Sequence, residues 1–450
     1  MEDDVSHMHI GSVTIFEGPV PAHEKLVEAI ASKMSLAPRC RHVVRFVPLD
    51  LGRPVWVDDP HFNLEYHVRH TALPAPGGEA QLRKLVGRLM SQQLDRAKPL
   101  WEIWMVECLE DGHWAIVSKV HHAMADGISG TDLLSVIMDA SPNPQVDQPE
   151  VWEPAPSPSR VRLAVGAVSA LAASPYEQLR AIRAAARVPR HAAAQAADVV
   201  RGLTAMAGVL APPQSSTLNG PVSPHRRYAW ASSTVDDVKR VRKGVGGTFN
   251  DVVLAAITRG FRDLLLSRGE SVDRVVRTMV PVSVRPRDAS GMAVGDGTMA
   301  NKVSAMFADL PVGEDDPVER LRLVSVQMAG LKESKQALAG EALTSLSGFA
   351  PPALLALGGR LFTRVRQRSV NTGTTNVPGP QMPLYAVGRR MLKAFPYVPV
   401  FGNVRITVAI FSYDGQVTFG ITGDYDTAPD IDVLARGIED GMTELLALGH

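Results

Sequence analysis

At 450 residues the chain exceeds what one ordinary hydrophobic core organises, and domain sizes of roughly 100–250 residues lead to an expectation of two packed units. Apolar residues make up 45% and charged residues 21%, close to a globular average, which excludes long disorder. Lys plus Arg equals Asp plus Glu at 47 each, so no nucleic-acid partner is expected, and any lipid contact has to be made by a local surface.

The N-terminus, Met-Glu-Asp-Asp-Val, is acidic and lacks the basic-then-apolar pattern of a signal peptide. Met8–Phe16 reads as a strand, stopped by Pro19 and Pro21, and a helix follows from Glu24 to Met34. Val43–Phe46, Val55–Val57 and Leu64–Val68 read as short strands, and Glu79–Leu94 carries a helical apolar period. Trp101–Leu109 and Trp114–Val120 form a hairpin across Asp111-Gly112, since Asp-Gly between apolar runs is a turn signal. The second strand leads into His121-His122-Ala-Met-Ala-Asp126-Gly127, and a helix is expected over Ser129–Ala140, with Ser129 and Thr131 as cap candidates.

Prolines crowd 141–158, as in an exposed linker. Val161–Leu210 is rich in Ala and Arg and reads as a helical crossover, and Pro212–Pro224 is a second linker. The expected division is therefore 1–141, a connecting region 142–224, and 225–450. In the last part a strand is expected over Arg227–Thr234, helices over Val235–Arg242, Asn250–Leu266 and Val318–Leu338, and strands over Val275–Val284 and Thr372–Gly379. Val404–Tyr413 and Gln416–Tyr425 form a hairpin across Asp414-Gly415, and a helix closes the chain from Ile431 to Leu446. Cys40 and Cys108 form no C-x-x-C pair, which argues against a disulfide framework and for a reducing cytoplasm. A membrane span needs about 20 mostly apolar residues. Leu163–Ala173 and Leu343–Leu357 are short, Ala-rich or broken by Pro351-Pro352, so none is expected.

In an extended strand neighbouring side chains point to opposite faces, so His121 and His122 cannot both enter one pocket. One is a reagent and the other a packing or support group. A neutral imidazole, with an unperturbed pKa near ~6.5, can take a proton from an alcohol at neutral pH. Asp126 fits a support role by pairing with an Arg, and Gly127 permits backbone that other residues resist. The plainer alternative is that two histidines at a strand end merely close a core. A metal site of His121, His122 and Asp126 is disfavoured, because adjacent residues diverge and no further ligand stands at a familiar spacing.

His121-His122-x-x-x-Asp126-Gly127 resembles the HHxxxDG signature of the CoA-dependent acyltransferases, a superfamily that includes chloramphenicol acetyltransferase and peptide-synthetase condensation domains. Pro99-Leu100-Trp101-Glu102, Asn250-Asp251, Pro281-Val-Ser-Val-Arg285-Pro286 and Asn376-Val-Pro-Gly-Pro380, in that order, are similar to segments of the bacterial wax ester synthase/diacylglycerol acyltransferase family. The resemblance runs from Met8 to the C-terminal helix. It implies an α/β fold of two domains in a chloramphenicol-acetyltransferase-like sandwich, mixed sheets flanked by helices with a tunnel between the halves. It implies transfer of a long-chain acyl group from acyl-CoA, a co-substrate, to diacylglycerol or a fatty alcohol, with no metal or other cofactor. His122 would be the general base, His121 its support and Asp126 structural, with Arg39, Arg41 or Arg285 as its partner. Asn250, Asp251, Thr375 and Asn376 would line or shape the substrate site. Asn250 as a helix N-cap, Asn376 as a turn residue and Pro99-Leu100-Trp101 as packing are open alternatives.

Two departures stand out. Family members usually begin with a Leu-Ser-Pro-Leu-Asp-like segment before the first strand, whereas this sequence starts almost at the strand itself, which bears on the completeness of the tunnel entrance. Thr375 replaces the family's Ser, keeping a hydroxyl. The insolubility of such substrates leads to an expectation of peripheral contact with lipid droplets or the inner membrane face. Rival readings are an acyltransferase using a carrier-tethered donor and a lipid-binding protein that has lost turnover.

Overall fold

The computed structural model describes residues 2–48, 51, 54–125, 137–144, 152–167, 169, 216–283, 303–333 and 370–448. In chain order the first half holds β1 (His9–Phe16), α1 (His23–Lys33), β2 (His42–Arg45), β3 (Val55–Asp58), α2 (Leu64–His67), β4 (Val68–Ala72), α3 (Glu79–Ser91), β5 (Trp101–Glu107), β6 (Trp114–His121) and α4 (His122–Ala125). The second holds β7 (Arg226–Thr234), α5 (Val235–Gly244), α6 (Phe249–Ser267), β8 (Val276–Ser283), β9 (Val303–Leu310), α7 (Pro317–Glu333), β10 (Thr372–Pro378), β11 (Tyr385–Ala386), β12 (Arg389–Tyr397), β13 (Ile406–Tyr413), β14 (Gln416–Asp424) and α8 (Ile431–Ala447). One mixed sheet has the order β11-β12-β1-β6-β5-β4, a second has β7-β14-β13-β10-β8-β9, and β2 pairs with β3.

Periodicity explains most of these elements. On β1 and β6, Phe16, Trp114, Ile116 and Val120 face one cluster, while Val13, Ala115 and Val117 face another beneath α3. Helix α3 meets that face with Leu82, Leu85, Val86, Leu89 and Met90, the spacing of one helical stripe. The β13–β14 hairpin turns at Asp414 and Gly415, both at positive φ (42° and 79°), which suits the twist of its strands.

Three expectations change. Leu64–Val68 is not a strand: Asn63 accepts the Glu65 N–H through its side chain (3.0 Å) and starts the single turn α2 before β4 begins. Strand β9 was not anticipated, and neither was β12, whose Pro396 obscures the pattern of a strand. Strand β12 lies beside β1 in the first sheet, so sheet membership crosses the chain-order division into 1–141 and 225–450. Within the expected linker, 152–159 has no regular structure, and helix begins at 160–167. The remainder of the crossover apart from 169, the residues 129–136 of the helix expected over Ser129–Ala140 and the segment 284–302 lie outside the described residues. The end of that expected helix, 138–140, is not helical, since Asp139 bridges to Tyr385.

The halves meet across β12. Phe395 stacks on Trp230 of β7 with ring centroids 4.4 Å apart, and Tyr228 donates its hydroxyl to the Pro396 carbonyl (2.8 Å). A Cβ on Gly420 would fall 1.7 Å from the Pro396 oxygen, so only glycine lets β14 approach this closely. On the other side of the contact, Phe411 and Tyr413 of β13 join the cluster that contains Phe16, Trp101 and Trp114. Among the described residues no helix is long and apolar enough to cross a membrane.

Candidate active site

Strand β6 is hydrogen-bonded on both sides, antiparallel to β1 and to β5. Its end is equally well held: the His121 N–H donates to the Leu100 carbonyl (2.9 Å) and the His122 N–H to the Met8 carbonyl (2.7 Å). There the chain turns into α4, where Met124 is fully buried while His122 is exposed. The buried methionine anchors the turn and leaves the His122 ring outward. Among the described residues that ring makes no hydrogen bond or ion pair.

His121 is the last residue of the strand and His122 the first of the helical turn, so the alternation expected of two extended residues does not apply to the pair. His121 lies opposite His9 in the β1–β6 register, on the face that carries Lys119. Its Nδ1 accepts the Ala123 N–H (3.0 Å), so the imidazole serves as the side-chain cap of α4. Its Nε2 lies 3.0 Å from Glu2 Oε2. Glu2 Oε2 also accepts from Arg96 (2.7 Å), and Glu2 Oε1 lies 3.7 Å from His9 Nε2. Burial raises the pKa of this carboxyl, but the His121 hydrogen bond and the Arg96 charge outweigh it and hold the value at about 2. Burial pushes His9 down to about 2, so its ring is neutral. Lys119 donates to the carbonyls of Leu89 (3.0 Å) and Gln92 at the end of α3, and its burial lowers it to about 8. A polar cleft of ≈ 520 Å³ opens beside this network, with Asp4, Tyr66, Arg69, Arg96 and Glu102 in its wall.

The second half contributes a polar pair near the C-terminal end of an interior strand of its sheet. Asn376, late in β10, directs its Nδ2 at Asn250 Oδ1 (3.4 Å) in the first turn of α6. Asn250 is not the N-cap. Thr248 is: its hydroxyl accepts the Asp251 N–H (3.3 Å), while the Asp251 carboxylate accepts the Thr248 N–H (2.8 Å). This reciprocal Thr-x-x-Asp box, joined by a hydrogen bond from Ser325 (3.1 Å), commits the buried Asp251 to the helix start. Alternation separates the neighbours on β10. Asn376 pairs with Ile410 on the face packed by α6, and Thr375 pairs with Ala409 on the opposite face.

Asp126, Gly127 and Arg285 lie outside the described residues. Of the other candidates for pairing with Asp126, the Arg39 guanidinium lies 4.7 Å from the centre of the Trp56 ring and Arg41 lies 5.1 Å from that of Trp152. Trp101 packs as the plainer reading expects: it is buried, its indole N–H reaches the Cys40 carbonyl (2.8 Å), and it stacks on His67 at 4.5 Å. Sequence reading passed over Glu2, seen only as part of an acidic terminus. Its position seven residues before the start of the histidine-bearing strand β1 carries no motif.

Known proteins agree with the motif reading. Residues 1–253 match the wax ester synthase/diacylglycerol acyltransferase catalytic domain, and residues 299–446 match the C-terminal domain of the same family. A probable diacylglycerol O-acyltransferase of Mycobacterium tuberculosis and a putative one of Mycobacterium bovis are each 38% identical over 443 residues, covering 98% of this chain and 91% of theirs. The wax ester synthase/diacylglycerol acyltransferase of Marinobacter aquaeolei superposes with a TM-score of 0.68 at 25% identity, covering 100% of this chain and 97% of that one. The starter condensation domain of rhizomide synthetase shares the fold, with a TM-score of 0.56 at 14% identity over 99% of this chain and 90% of its own. The two mixed sheets with flanking helices are thus the two-domain, chloramphenicol-acetyltransferase-like architecture that the motif implied, and the chain belongs to the wax ester synthase/diacylglycerol acyltransferase family.

Proposed function

We propose that the protein transfers a long-chain acyl group from acyl-CoA to the hydroxyl of diacylglycerol, and to fatty alcohols as secondary acceptors, with His122 as general base. The observation that carries this reading is the His122 ring: exposed, unpartnered among the described residues, and presented by a strand end held on both sides. The names of the curated relatives supply the acceptor class.

In the proposed reaction a His122 ring nitrogen removes the hydroxyl proton as the oxygen attacks the thioester carbonyl. A C–O bond forms, the tetrahedral intermediate collapses with loss of the C–S bond, and the imidazolium returns its proton to the departing thiolate. The amide of Asn376, braced by Asn250, is suited to stabilise the oxyanion. Asp251 and Thr375 support rather than react. The reaction uses no metal and no redox group. Substrates meet in a channel between the halves, and the protein contacts lipid droplets or a membrane face peripherally.

The direct test is release of CoA thiol from one long-chain acyl-CoA offered with diacylglycerol, a fatty alcohol or no acceptor. Acceptor-dependent release with ester formation is expected. Release confined to acyl-carrier donors, or none with any acceptor, refutes the proposal. Recovery of all the protein in the soluble fraction of lipid-loaded cells refutes the lipid contact.

A further inference from the structure

We propose that Glu2 is a positioning residue for acyl transfer, fixing His121 in the one tautomer that caps the helical turn bearing His122. The inference rests on His122 being the base and concerns how that base is held. A neutral imidazole has one N–H and one lone pair. The Ala123 N–H points at His121 Nδ1 (3.0 Å), so Nδ1 supplies the lone pair and the proton sits on Nε2. That proton points at the Glu2 carboxylate (3.0 Å). With the proton on Nδ1 instead, two N–H groups would face each other and the cap on α4 would be lost.

The surroundings leave Glu2 as the group that makes this choice. His9, the nearest other ring, presents its Nε2 to the Leu94 N–H (3.4 Å), so that nitrogen is an acceptor and gives Glu2 no proton. Lys119 directs its ammonium to the carbonyls of Leu89 and Gln92. Arg96 donates to the same carboxylate oxygen, Oε2 (2.7 Å), and keeps the group charged. A carboxylate accepts and cannot donate, so it selects the Nε2–H form of His121, and the selection passes through the ring to the Ala123 amide next to His122. A carboxylate fixing an imidazole in this way is a recurrent means of orienting a catalytic group.

The test uses the full chain with Glu2→Gln and Glu2→Ala. Glutamine nearly matches glutamate in shape but both donates and accepts, so it removes the selection with little change in packing. Histidine ring nitrogens are observed by 15N NMR, with the His121 signals identified by their loss in His121→Ala. A protonated Nε2 and a bare Nδ1 are expected in the unaltered protein, and a mixture of tautomers in Glu2→Gln. In both variants kcat should fall about tenfold, about 1.4 kcal/mol of activation free energy, with KM for acyl-CoA unchanged. A proton on Nδ1 in the unaltered protein, or unchanged kcat in Glu2→Gln, overturns the proposal. Should Glu2→Ala fail to fold, Glu2→Gln decides. The tautomer is read without turnover, so an active His122→Ala would sink the parent reading while leaving this measurement intact.

Discussion

The second sheet is backed by one continuous cluster of its own residues, running from Val252 and Phe261 of α6 to Leu434 and Ile438 of α8. The first sheet divides its core into two clusters, and both draw residues from after 380: Met391 and Tyr413 in one, Phe395 and Tyr397 in the other. One half could close on itself, whereas the half that presents His122 is completed by a strand from the far end of the chain. The sheet order β12-β1-β6 puts that visiting strand two places from the strand that leads into His122. Geometry at the site is therefore tied to the whole chain. The two helix starts differ in the same sense. α6 begins with the common Thr-x-x-Asp box, while α4 is capped by an imidazole that depends on a residue in the terminal segment.

His122→Ala should lower kcat about 10²–10⁴-fold, the usual worth of a general base, without changing the melting temperature, and His121→Ala should lower it less. A reversed order in steady-state rates would mean that the wrong ring faces the substrate. Next is the visiting strand. Phe395→Ala removes a buried ring that stacks on Trp230 and should cost about 3–5 kcal/mol in denaturant unfolding. Two separated transitions, with the second half unaffected, would show the halves to be independent.

A smaller contrast lies within one turn of α6. Thr248→Ala should cost about 1 kcal/mol of stability with kcat retained, and Asn250→Ala should do the opposite. Identical behaviour of the pair, measured by unfolding and turnover, would merge cap and site. Smallest is an acid effect at Glu2. Its folded value, about 2, is below its ordinary 4.5, so its contribution is fully present above pH 4.5 and is lost as pH falls toward 2. Glu2→Gln should therefore lose less stability than the unaltered protein between pH 5 and pH 3. Equal losses, by denaturant titration at the two pH values, would remove the charge from that role.

Local pattern was sufficient for much of this molecule. The helix stripe of α3 and the Asp-Gly hairpins depend on periods of two or 3.6 residues and on turn chemistry, which neighbours in sequence decide. The motif and four short segments also carried the family. Other features came only from tertiary structure, because their partners are remote in the chain: β12 is a strand because β1 lies beside it, and Tyr228 and Trp230 meet Pro396 and Phe395 across more than half of the second part of the fold. Asn376 acquires its meaning from Asn250, and Glu2 from a histidine 119 positions away. Pattern along the chain encodes which face is apolar, whereas only packing determines which polar groups are left to meet across the space between the elements.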